Sequence, residues 1–98
     1  IMTTFNTTKE KHLEKLELFT PIVARVHGGS HPEFHQVKDL WDEIRDKSEG
    51  AGDQKPELDN EFNQLRQVTD NYTVPEDTCE SYEAVYKMLE EVDQAYHA

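Results

Sequence analysis

His27, His31, His35 and Asp39 follow one another at steps of four, and they are the residues whose types and spacing are best suited to chemistry. Residues four apart lie on one face of a helix. A His-x-x-x-His pair on such a face can hold zinc or nickel, and Asp39 offers a carboxylate, although a closed tetrahedral site wants four ligands. A plainer assignment stands beside this one. His31, next to Pro32, is placed to cap a helix; His27, at a helix end, complements the dipole when protonated; His35 is a solvated or half-buried neighbour. Four-helix bundles that carry metal in their cores build the site from Glu-x-x-His or paired His and Glu side chains. Neither Glu-x-x-His nor His-x-x-x-Glu occurs anywhere in the sequence.

Other chemical signals are weaker. Cys79 has acidic neighbours, Asp77 and Glu80, and no adjacent basic residue, so a thiolate is disfavoured there and a core or boundary position is expected. A single cysteine also excludes an internal disulfide. Gly28-Gly29 and Gly50-Ala51-Gly52 follow no strand and lack the lysine or third glycine of a phosphate loop, so they read as helix punctuation. Trp41, Tyr72, Tyr82, Tyr86 and Tyr96 have helical spacing with no interleaved basic residues, which marks core rather than a nucleic-acid stacking surface.

The elements that position these groups are helices. Leu13, Leu16, Thr20, Val23 and His27 form a stripe at steps of three and four, widened by Phe19, Ile22 and Val26, and Pro21 either kinks this helix or opens a new one capped by Thr20. Phe34, Val37, Trp41 and Ile44 mark a second helix, Leu58, Phe62, Leu65, Val68 and Tyr72 a third, and Tyr82, Val85, Leu89, Val92 and Tyr96 a fourth. Glu76, Asp77 and Glu80 are expected in the first turn of the last helix, where carboxylates favour the dipole. The spacing predicts helices at 7–27, 32–48, 57–71 and 76–96, packed as an all-α, antiparallel up-down-up-down four-helix bundle in a single domain, 1–98. The predicted core is Leu16, Phe19, Val23, Val37, Trp41, Ile44, Phe62, Leu65, Tyr82, Val85, Leu89 and Val92.

Composition bounds the function. Of 98 residues, 35% are apolar and 32% charged, and 10 basic against 21 acidic side chains leave a net charge of −11. A domain of this size buries only about 60–65% of its unfolded surface, which leaves no room for a deep catalytic cavity and argues for a non-enzymatic protein. The charge repels phosphate backbones and anionic lipid, so neither nucleic acid nor membrane is expected as a partner. No apolar run approaches a membrane span or a signal peptide, and a cytoplasmic protein is the expectation. Charge is also segregated: residues 1–27 carry three acidic and four basic side chains, whereas residues 75–98 carry seven and one.

Two segments carry a resemblance to a known family. Val23-Ala24-Arg25-Val26-His27-Gly28-Gly29-Ser30-His31-Pro32-Glu33-Phe34 resembles the "ARVHGxxHPEL" motif of the Repair of Iron Centres family, and the run from Leu65 to Tyr82 resembles that family's "LRxLTxDYxxPxDACxSY" stretch. The resemblance implies a hemerythrin-like four-helix bundle involved in repairing iron-sulfur clusters after nitrosative or oxidative stress. It also implies a di-iron centre, but the matching ligand positions are lost. The family's first histidine falls at Asn6, its "HMxKEE" stretch is replaced by Gly50-Ala51-Gly52-Asp53-Gln54-Lys55, and the histidine of its third helix has no counterpart. Its "HIHLEN" segment would begin just beyond His97, where the sequence reaches Ala98. We therefore expect no cofactor, and only weak metal candidates in His27, His31, His35 and Asp39.

Two functions are consistent with these residues. One is a shortened hemerythrin-like relative of the repair proteins, acting in stress response without its own di-iron centre. The other is a non-enzymatic acidic interaction module, with a protein partner, that is monomeric or a weak homodimer.

Overall fold

The computed structural model describes residues 3–98 and contains four helices: α1 (Thr3–His27), α2 (Glu33–Ala51), α3 (Asp59–Val68) and α4 (Glu80–Tyr96). No strand occurs among the described residues. α1 packs most extensively on α4, α2 packs on α3, and α1 also meets α2. One continuous core joins them, built on Leu16, Val23, Trp41, Ile44, Phe62, Leu65, Val85 and Leu89. Burying a large apolar side chain is worth roughly 1.5–3 kcal/mol, so these few residues carry most of the stability of a polar chain.

α1 runs through Pro21 without interruption and starts four residues earlier than expected, which brings Phe5 into the core. Thr20 is buried inside the helix rather than capping a second one. The apolar stripe is narrower than the sequence suggests: Phe19 is only partly buried, and Ile22 and Val26 are exposed. Glu17 ties α1 to α2, its carboxylate accepting hydrogen bonds from Trp41 Nε1 at 2.7 Å and from Arg45 Nη1 at 2.9 Å.

α2 extends through Gly50 to Ala51 and stops at Gly52, whose φ of +60° is open to glycine at little cost. α3 ends at Val68, short of the expected Asn71, because Asp70, Asn71 and Tyr72 adopt consecutive left-handed backbone, φ +53°, +57° and +61°. Left-handed backbone costs about 1–2 kcal/mol per non-glycine residue. Here Thr69 Oγ1 accepts the Tyr72 amide at 2.8 Å, the Asn71 amide reaches Arg66 O at 2.8 Å, and the Tyr72 hydroxyl donates to Asp93 at 2.7 Å. α4 begins at Glu80, so Glu76 and Asp77 lie in the preceding loop, and Glu80 and Glu83 are the acids of its first turn.

Candidate functional site

The end of α1 and the start of α4 form a corner that the α1–α2 turn closes. α1 ends at His27, and Gly28 follows with its amide bonded to Ala24 O at 2.9 Å. Gly28 is required by close approach rather than by positive φ. A Cβ there would collide with the Ala24 carbonyl oxygen and with Nε2 of His35, whose ring packs over the glycine. His31 does not cap α2: Pro32 holds the N-cap position, with no side-chain bond to the helix.

Instead, His31 bridges two acids. Its Nδ1 is 3.1 Å from Glu33 Oε2 and its Nε2 is 2.9 Å from Asp77 Oδ1. Carboxylates only accept, so an imidazolium donating from both nitrogens satisfies this geometry. Burial works against that charge, but the bonds to Asp77 and then Glu33 outweigh it and raise the His31 pKa above its ordinary value. The bond from His31 in turn holds Asp77 below the usual carboxylate range.

Beside this bridge, His27 Nε2 lies 3.3 Å from Cys79 Sγ. Cys79 is exposed and occupies the N-cap of α4, a correction to the core or boundary position expected of it. Its basic neighbour comes from 52 residues away, beyond the reach of any local pattern; the available signal was that His27 and Cys79 each sit in one of the two segments carrying the family resemblance. The edges of both His27 and His31 meet the Tyr82 ring, at centroid distances of 5.4 and 5.6 Å. Burial, followed by the bond to Tyr86, pushes the Tyr82 phenol well above its ordinary pKa and keeps it neutral. Chemically, the corner offers a thiol with an imidazole in reach of its proton, and a nitrogen and sulfur donor pair that is half of a zinc coordination set.

Of the four sequence candidates, the fold gathers His27 and His31 around Tyr82, sets His35 over Gly28, and leaves Asp39 exposed on α2. Among the described residues, no three His, Cys, Asp or Glu side chains are grouped so as to hold a metal ion.

The implied di-iron centre also does not fit the opposite end, where the family's position on α1 falls at Asn6. Phe5, Leu58, Phe62 and Tyr96 close that end, with Tyr96 5.3 Å from Phe5 and 5.2 Å from Phe62 between ring centroids. The Tyr96 hydroxyl donates to Pro56 O at 2.6 Å and accepts the Leu58 amide at 2.9 Å, so the polar atom there is already satisfied. A carboxylate-bridged iron pair needs inward His and Glu side chains, and here Phe5, Phe62 and Tyr96 supply aromatic rings and Leu58 an aliphatic side chain in their place.

No family model and no solved structure matches the chain. No helix among the described residues is long and apolar enough to cross a membrane. The chain is similar to the protein named iron-sulfur cluster repair protein ScdA in two strains of Staphylococcus epidermidis, at 24% identity in each and over 99% of the chain. It spans 57% of the length of those relatives, and the alignment runs to 128 positions against 98 residues, so the relatives carry segments that this chain lacks.

Proposed function

We propose that this chain is a shortened, hemerythrin-like relative of the iron-sulfur cluster repair proteins, acting in stress response or cluster repair through protein contacts, without enzymatic activity and without its own di-iron centre. The alignment over nearly the whole chain carries the family side of this reading. The aromatic packing of Phe5, Phe62 and Tyr96 at the expected iron end supports the iron-free side. The helices are taken as an antiparallel up-down-up-down bundle, a reading supported by Phe5 meeting Tyr96 at one end of α1 and His27 meeting Cys79 at the other.

One experiment tests both sides. The untagged protein is loaded with ferrous iron, desalted and analysed for metal, then added to a [4Fe-4S] enzyme inactivated by nitric oxide in the presence of iron and thiol. The expected result is iron far below one atom per chain and faster recovery of the enzyme than with an inert protein at equal concentration. Near-stoichiometric iron with oxo-bridge absorption overturns the iron-free reading, and unaltered recovery overturns the repair reading. Zinc or nickel titration by calorimetry checks the corner in the same preparation: no binding is expected, and binding lost in the His27→Ala, His31→Ala double variant would give the corner a metal.

A further inference from the structure

The outward face of α1 has an uncommon composition for this molecule. Leu18, Ile22 and Val26 are 56%, 37% and 64% exposed, and they are the large hydrophobic residues found exposed among the described residues. At steps of four they form one ridge along the helix. Three basic residues, Lys11, Lys15 and Arg25, share this face and form no ion pair among the described residues. In a chain with 21 acids for 10 bases, unpaired cations gathered beside uncovered apolar side chains need a reason.

A groove of about 420 Å³ between α1 and α4 continues the same surface. Phe19, Ala84 and Met88 form its apolar floor, and Lys11, Lys15 and Lys87 stand on its rim, Lys87 being shared with Glu83 at 3.3 Å. His12 also lines it. The residue is only 8% exposed, and its Nε2 faces Glu91 Oε1 at 3.4 Å, so its ring forms part of the groove wall.

We propose that this face of α1, with the α1–α4 groove, docks an acidic amphipathic helix of a partner protein. Such a helix lays apolar side chains into the groove and along the Leu18–Ile22–Val26 ridge, while its flanking carboxylates meet Lys11, Lys15 and Arg25. A second copy of this chain fits less well. Its own α1 face is equally cationic, and among the described residues its acidic faces carry no exposed large hydrophobic residue, so no described surface of the copy complements both features at once. An anionic membrane is opposed by the net charge of −11. The inference does not depend on the repair reading, since it uses neither iron nor the corner at His27.

The probe is a synthetic helical peptide with leucines at heptad spacing and glutamates elsewhere, paired with a control in which lysines replace the glutamates. Titration into the labelled 98-residue protein, followed by amide chemical shifts, is expected to give saturable changes confined to residues 11–26 and 84–88. Lys11→Glu with Lys15→Glu should weaken the glutamate peptide about tenfold or more while helicity and melting temperature hold, in line with the cost of placing like charges across an interface. Leu18→Ser with Val26→Ser should do the same without touching any charge. Equal binding of the lysine peptide, shifts mapping elsewhere, a dimer in sedimentation that Leu18→Ser and Val26→Ser abolish, or pelleting with anionic vesicles would each overturn the proposal.

Discussion

The two ends of α1 lie roughly 35 Å apart at 1.5 Å per residue, and they have gone opposite ways. At the Phe5 end, aromatic rings fill the interior, the Tyr96 hydroxyl is bonded on both sides by backbone, and the His97 imidazole packs at the edge of Phe62 and Tyr96 beside Asp59 and Asp93. At the His27 end, two imidazoles, a thiol and two carboxylates meet around Tyr82, mostly within reach of water. The first end is built mainly on buried apolar packing. The second keeps titratable groups and contributes little packing. The contrast teaches that one helix can serve two kinds of end: polar groups meet at a solvated corner, whereas the interior is filled with side chains, because an empty or unsatisfied core destabilises so small a domain.

Substitutions at the aromatic end should produce the largest effect. Phe62 is fully buried between Tyr96 and His97, with ring centroids at 5.2 and 5.8 Å. Phe62→Ala should cost about 3–5 kcal/mol, enough to unfold much of the population, while His27→Ala at the other end should cost less than about 1 kcal/mol. Urea denaturation followed by circular dichroism reads both. Comparable losses at the two ends would erase the contrast.

A finer cut at the same end separates packing from polar satisfaction. Tyr96→Phe keeps the ring and removes the oxygen, which leaves the buried Leu58 amide and Pro56 carbonyl without their partner. The expected cost is about 1–3 kcal/mol, smaller than that of Phe62→Ala and larger than that of most exposed substitutions. Loss below a few tenths of a kcal/mol would mean that water replaces the hydroxyl and that this end is more open than its burial indicates.

The helices and most of the core were legible in the sequence because their signal is local. Stripes such as Phe34, Val37, Trp41 and Ile44 repeat within one element, and all four are buried. Boundaries failed where a non-local contact decided them. α3 stops early because Tyr72 swings back to Asp93 on α4, and α4 starts late because Asp77 is held by His31. Ile22 and Val26 look like core by period alone, yet among the described residues no helix covers that side of α1 and both are exposed. At the corner, the steps of four among His27, His31, His35 and Asp39 suggested one face, but a turn falls between His27 and Glu33 and breaks the helical register. Sequence spacing could not show that Cys79, Asp77 and Tyr82 would arrive from the far end of the chain.

The corner also makes the smallest prediction, and its sign follows from the two shifts. His31 has a raised pKa in the folded protein, so its contribution is complete below the unfolded value of about 6.5 and fades as pH rises through the folded value. Asp77 has a lowered pKa, so its contribution is complete above about 3.9 and fades as pH falls through the folded value. The pair therefore supports the fold most strongly between about pH 4 and 6.5. Asp77→Asn removes the charge while keeping the side chain's shape. The melting temperature of the variant should fall slightly below that of the parent near pH 5, and the two curves should converge as pH rises through the folded His31 value, above which the ring is neutral in both. Because Asp77 is exposed, added salt should shrink the difference at pH 5. A gap that widens toward alkaline pH would reverse the sign and show that His31 stands there as a neutral ring, with its bonds to Glu33 and Asp77 broken in solution.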